Sequence, residues 1–288
     1  MKRIKFIFLV FLTACASPNT APITTTVLSS LTPLPTLTPD PNIFIDEMGV
    51  PMSLVPAGVF TMGSDADTAL AECQKYRTDC ERGWFLNEEP PHQVYLDAYY
   101  MDIYEVTNLL YKDCVGANGC TLPKSTKLYN DSEYKNYPVG FVDWKQADTY
   151  CKWRNASLPT EAQWEKAARG TDGRTYPWGE GISCDQATYS GCKSFTTEVG
   201  SYESGKSPYG IYNMADNVWE WTNDWYDENY YASSPYSNPL GPDSGQDRVL
   251  RGGSWSSSEE ALRTSSRDWL PPGIASQIFG FRCVRSLP

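Results

Sequence analysis

Along residues 43–288, apolar positions come in short bursts, some at period two and some at helical spacing, separated by long polar stretches rich in Gly and Pro. Residues 52–62 (MSLVPAGVFTM) alternate and turn at Pro56-Ala57-Gly58, which predicts a hairpin. Residues 63–91 are acidic and carry no period, the pattern of a loop excursion. Residues 93–106 (QVYLDAYYMDIYEV) are dense in β-branched and aromatic side chains and predict two strands or one long bent strand. Three capping residues each open a helical pattern. Thr107 precedes Leu110, Cys114 and Ala117; Asp143 precedes Trp144, Ala147 and Cys151. Thr160, with Gln163 three residues on, makes a capping-box pattern before Trp164 and Ala168, and Arg169-Gly170 supplies the stop. Residues 171–208 hold little that is regular beyond a tight turn at Tyr176-Pro177-Trp178-Gly179. Residues 248–255 (RVLRGGSW) begin as a strand and break at Gly252-Gly253, and residues 279–284 (FGFRCV) read as a closing strand. The expectation is an α+β domain whose long irregular connections require staples.

Residues 209–226 (YGIYNMADNVWEWTNDWY) are the densest aromatic stretch, with Trp219, Trp221 and Trp225 set among Asn213, Asp216, Asn217, Glu220 and Asp224. An extended backbone puts Trp219 and Trp221 on one face. Rings interleaved with oxygen-bearing side chains fit a buried strand whose polar groups bond nearby backbone. They also fit a site for a hard cation such as calcium, which takes roughly six to eight oxygens.

At the N-terminus, Lys2, Arg3 and Lys5 precede an apolar run over residues 6–12, too short for the about 20 residues of a membrane span. This is the pattern of an export signal. Leu12-Thr13-Ala14-Cys15 resembles the bacterial lipobox, which makes residues 1–14 a signal peptide and Cys15 the lipidated first residue of the mature chain. Residues 15–42 are mostly Ser, Thr and Pro, a composition that favours an extended tether over a packed core. A lipid-anchored extracytoplasmic protein of the cell envelope, with one domain over 43–288, is expected.

Eight cysteines remain after Cys15, an even number that reads as disulfides in an exported chain. Spacing suggests the local pairs Cys73–Cys80, Cys114–Cys120 and Cys184–Cys192, which leaves Cys151 and Cys283 to join mid-domain to the last strand. A formal charge of −11 argues against nucleic acid and against a basic membrane-facing surface. The single histidine, His92, removes His-cluster metal sites and leaves little scope for a His-based triad.

A series of landmarks runs in one order over residues 52–285. It begins with Val55-Pro56-Ala57-Gly58, Met62-Gly63, Glu105-Val106-Thr107-Asn108, Pro138-Val139 and Asp143-Trp144. It continues with Leu158-Pro159-Thr160-Glu161-Ala162-Gln163-Trp164-Glu165, Tyr176-Pro177-Trp178-Gly179 and Asn217-Val218-Trp219-Glu220-Trp221. It ends with Arg251-Gly252-Gly253-Ser254-Trp255 and Gly280-Phe281-Arg282-Cys283. Together they resemble the formylglycine-generating enzyme, or sulfatase-modifying factor, family. The resemblance implies a compact, coil-rich variant of the C-type lectin fold and supports the Cys151–Cys283 pair. It implies a structural calcium held by the side chains of Asn213 and Glu220 and the carbonyls of Asp216 and Val218. The family often has glycine where Asp216 stands, so its carboxylate could add a ligand. A second calcium site of the family is not recognisable, since the Cys184–Cys192 staple occupies that region.

Aerobic members of the family oxidise a sulfatase cysteine to formylglycine with oxygen and a copper(I) held by two cysteines just after the RGGS motif. Here that segment reads Ser256-Ser257-Ser258-Glu259-Glu260-Ala261-Leu262-Arg263, and no cysteine lies between residues 193 and 282. Ser257 stands near the first expected thiol, and the second has no counterpart. Copper(I) prefers sulfur ligands, so copper-dependent oxidation is not expected. The remaining expectation is a groove lined by Trp255, Ser257, Arg263, Arg267 and Trp269, binding a peptide, a glycan or an envelope protein. The plainer reading makes Arg263 and Arg267 braces for a coil-rich wall through carboxylates such as Glu259 or Asp268, and residues 256–260 a solvated loop. Two rivals stand beside the binding module: an oxidase of protein cysteine with its metal ligands elsewhere, and a structural partner in an envelope complex.

Overall fold

The computed structural model describes residues 40–287. The signal peptide, Cys15 and nearly all of the tether lie outside the described residues. Strands β1 (Ile43–Ile45), β2 (Pro51–Val55), β3 (Gly58–Met62), β4 (His92–Leu96) and β5 (Tyr99–Asp102) occupy the first part of the domain. Strands β6 (Trp219–Trp225), β7 (Arg248–Arg251), β8 (Asp268–Leu270), β9 (Phe279–Gly280) and β10 (Val284–Ser286) occupy the last. Between and around them lie α1 (Ala66–Cys73), α2 (Asn108–Gly116), α3 (Lys127–Asn130), α4 (Trp144–Trp153) and α5 (Glu161–Arg169).

One antiparallel sheet has the order β1-β2-β5-β10, so the last strand returns beside the first part of the chain. A second sheet has the order β8-β7-β6-β9, with β9 parallel to β6, and β3 pairs with β4 alone. The expected 52–62 hairpin does not form. Both strands exist, but β2 pairs with β1 and β5 while β3 pairs with β4. The Pro56-Ala57 turn therefore passes the chain from one sheet to another. Residues 63–91, expected to be irregular, contain α1, whose N-cap Asp65 accepts from the N–H groups of Asp67 and Thr68.

Helices α4 and α5 each start with a complete capping box, Asp143 with Gln146 and Thr160 with Gln163. Gly170 ends α5 at φ 69°, where a side chain would be strained. The four disulfides pair Cys73–Cys80, Cys114–Cys120, Cys151–Cys283 and Cys184–Cys192. Cys151–Cys283 ties α4 to the start of the closing strand, at the centre of an apolar cluster with Tyr111, Tyr150, Trp221 and Phe281. A second cluster packs Trp164 and Ala168 of α5 against β3, β4 and β5. Glu220 and Trp164 join the two, the indole donating to the carboxylate at 2.9 Å.

Candidate functional site

The segment leading into β6 is a knot of buried polar groups. Asn213 and Asn217 sit at φ 56° and 64°, a conformation asparagine tolerates because its side chain bonds local backbone. Asn213 Oδ1 accepts from the Gly200 N–H, and its amide donates to Asp216 at 3.0 Å. Asp216 Oδ2 accepts from the Thr188 N–H. Asn217 Oδ1 accepts from the Thr197 N–H, and its amide donates to Glu105 at 2.7 Å. These bonds stitch the irregular 188–200 stretch onto the segment just before β6.

Glu220, on β6, is clasped by Arg282 at 2.6 Å and by the Trp164 indole, while Arg282 also reaches the carbonyls of Tyr212 and Asn213. Glu105, Asp216 and Glu220 thus place three carboxylates near the single guanidinium of Arg282. Burial, then the Glu220 charge, pushes Glu105 well above the usual carboxylate range. Burial likewise pushes Asp216 up to about 7. Glu105 Oε1 is buried without a hydrogen-bond partner. Three carboxyl groups facing one guanidinium, with one oxygen orphaned, fit a cation that would hold them ionised. The arrangement also sets a condition. Glu220 already accepts from Arg282 through both oxygens and from Trp164 through one, so its side chain would have to release a bond to serve as a ligand. Among the described residues, no group of three or more His, Cys, Asp and Glu could by itself hold a metal ion. The amide of Asn213 and backbone carbonyls would have to complete the set.

The expected groove does not assemble. Arg263 and Arg267 are buried, at 3% and 6% exposure, and face carboxylates inside the domain. Arg263 makes a two-pronged pair with Glu88 at 2.6 and 2.8 Å, and Arg267 one with Glu161 at 2.7 and 3.0 Å. The partners are not Glu259 and Asp268, as the plainer reading of the sequence had them, although the bracing role is the one it described. Arg251 bridges Glu161 and Glu165, and Arg169 closes the network on Glu165. Burial opposes ionisation of Glu88 and Glu161, yet Arg263 and Arg267 override it and hold both below the usual carboxylate range. Asp224, beside Glu161 but without a guanidinium clasp, goes the other way and is pushed by burial up to about 8.

The two tryptophans also part. Trp269 lies on β8, stacked on Tyr226 with centroids 4.0 Å apart. Trp255 lies beside Phe195 and walls a cavity with Ser256 and residues 190–194. Ser257 Oγ accepts from the Ser254 N–H and lies 3.1 Å from Ser254 Oγ. The Ser257 carbonyl accepts from the Ser190 N–H, so the disulfide-closed 184–192 loop sits against this serine turn. Sequence reading missed Glu88, Glu161 and Glu165 as buried partners. The signal for part of it was present, since Glu161, Glu165 and Arg169 recur every four residues along α5.

The Sulfatase-modifying factor enzyme 1-like domain matches residues 45–287. The chain belongs to this family. It is 37% identical over 220 residues to the serine/threonine-protein kinase pkn1 of Chlamydia caviae, a match covering 70% of this chain and 35% of that protein. The chain therefore spans about a third of the length of that relative. It is 30% identical over 291 residues to the formylglycine-generating enzyme of Mus musculus, covering 80% of this chain and 73% of that one. Among solved structures, PvdO from Pseudomonas aeruginosa superposes with a TM-score of 0.69 at 24% identity, over 85% of this chain and 98% of that one, a likeness of fold. In this chain three serines, Ser256-Ser257-Ser258, stand just beyond Arg251-Gly252-Gly253-Ser254 and Trp255.

Proposed function

We propose that this chain is a lipid-anchored, extracytoplasmic member of the sulfatase-modifying factor family that acts as a non-catalytic binding module for a peptide, a glycan or an envelope protein. The observation that carries the reading is the state of sulfur. Ser257 stands near the position of the family's first copper thiol, and all eight cysteines of the domain are in disulfides, which leaves no thiolate for copper(I). The frame is read as a coil-rich variant of the C-type lectin fold. A structural calcium at Asn213, Asp216, Val218 and Glu220 would neutralise the carboxylate knot and fasten the loop to β6. The export signal and Ser/Thr/Pro composition of residues 1–42 support the anchored, envelope location.

The second reading, an oxidase of protein cysteine, is favoured by the 30% identity to a formylglycine-generating enzyme over most of both chains. One assay separates the two. The protein, supplied with copper(I) and oxygen, is incubated with a sulfatase-type peptide carrying Cys-x-Pro-x-Arg, and the products are weighed by mass spectrometry. An unchanged cysteine, beside an active control enzyme, is expected. Formylglycine in the product would sink the binding-module reading. In parallel, immobilised protein is challenged with defined peptide and glycan arrays, and retention of none would count equally against it.

A further inference from the structure

The cavity beside Trp255 has a chemical bias that the family likeness does not explain. It measures about 420 Å³ and is walled by residues 190–194 on one side and by Trp255 and Ser256 on the other. No carboxylate contributes to these walls, although the protein carries a formal charge of −11. The polar groups that line it donate. Lys193 makes no ion pair among the described residues and lies 5.8 Å from the centroid of the Tyr202 ring. Ser190, Ser194 and Ser256 add hydroxyls. Trp255 walls the cavity, while its indole Nε1–H is buried out of reach of water and without a partner, so the ring reports on the cavity and does not donate into it.

The backbone points the same way. The N–H groups of Gly191, Lys193 and Ser194 meet no backbone acceptor among the described residues, while Ser190 and Cys192 are anchored to Ser257 and Tyr189. Gly191 sits at φ 91°, in the left-handed region. The free N–H groups of Gly191, Lys193 and Ser194 are donors on the rim of the cavity, open to an anion. The Cys184–Cys192 bond and the Ser190–Ser257 hydrogen bond hold this strip against the serine turn, so little ordering would accompany binding.

We propose that this cavity binds an anionic group of the carboxylate or phosphate class, with Lys193 supplying the charge, and Ser194, Ser256 and the 191–194 backbone supplying hydrogen bonds. The proposal rests on the binding-module reading and names the ligand chemistry of the site. The full chain, 15N-labelled at its tryptophan indoles, is titrated separately with inorganic phosphate, glucuronate and glucose, with the Trp255 resonance assigned through Trp255→Phe. A saturable shift of that resonance with phosphate, glucuronate or both is expected, weakened about tenfold in Lys193→Gln, since a hydrogen bond to a charged group is lost. Whichever anion shifts the resonance identifies the source, phosphate or carboxylate. An equal response to glucose would overturn the anion assignment and leave the binding module standing. No response to either anion, or unchanged affinity in Lys193→Gln, would overturn the assignment as well. The module reading is then judged on the peptide and glycan arrays alone.

Discussion

Replacing Arg267 with methionine separates a groove residue from an internal brace. On the surface of a groove, Arg267 would contribute to binding and little to folding. In this structure its guanidinium holds Glu161 with two bonds of 2.7 and 3.0 Å, donates to the Asn87 carbonyl at 2.7 Å and lies 4.1 Å from the centroid of the Tyr231 ring. Glu161 is buried, and it would keep only Arg251 at 3.2 Å and the Tyr231 hydroxyl at 3.1 Å once Arg267 is gone. Removing one partner of a buried pair typically costs about 3–5 kcal/mol, because the other charge is left without compensation. For a domain of this size each kcal/mol is worth roughly 2–4 °C, so a fall in Tm of about 6–20 °C is expected. The assay is urea and thermal unfolding of Arg267→Met, Glu161→Gln and the double variant. Removing both charges should cost less than the sum of the single losses, because the stranded charge is then absent. A Tm within about 2 °C of the parent for Arg267→Met, or strict additivity in the double variant, would refute this reasoning.

Replacing both Cys151 and Cys283 with alanine should cost about 5 kcal/mol on the chain-entropy account, against about 2.5 for the Cys73–Cys80 pair, a ranking that denaturant midpoints would check. Calcium should raise the Tm, by about 2.7 kcal/mol of stability at a hundredfold excess over Kd, and chelator should reverse it. Asn213→Ala should abolish that response, and a calcium-insensitive parent would remove the proposed ion. Lys166 is buried, donating only to the carbonyls of Pro56 and Gly58, and burial lowers its pKa to about 8 from 10.5. Its folded value lies below its unfolded one, so the cost of burying the charge is fully present below pH 8 and fades as pH rises from 8 to 10.5. The stability gained by Lys166→Met should therefore shrink across that window, and a pH-independent difference would contradict the shift.

Much of the frame was legible in the sequence because it is local chemistry. The capping boxes at Asp143 and Thr160 are complete within four residues, and the three short disulfides close loops of similar size. Strand pairing was less legible. Residues 52–62 have the alternation and the turn of a hairpin, yet β2 joins the sheet of the last strand, pairing with β1 just before it and with Tyr99–Asp102 far along the chain. The site was misread for a related reason. A sequence shows that Arg263 and Arg267 are cations, but not that Glu88 and Glu161, about a hundred or more positions earlier, wait for them inside.

The same geometry explains why family membership here says more about fold than about chemistry. Glu105, Trp164, Glu165, Asn217, Glu220, Arg251 and Arg282 all belong to the landmarks that carry the resemblance, and all are buried. They bond to one another: Asn217 to Glu105, Trp164 and Arg282 to Glu220, Arg251 to Glu165. Stranding any one of these buried charges costs on the order of several kcal/mol, enough to threaten a domain of ordinary stability. Such residues hold the irregular backbone in place whether or not any reaction takes place. On the reading proposed above, the family's copper chemistry would call for thiols in the short segment after Ser254, and this chain has there a serine turn packed against a disulfide loop. On the binding-module reading proposed above, the chain keeps these braces without the reaction, since bracing and reacting call for different atoms.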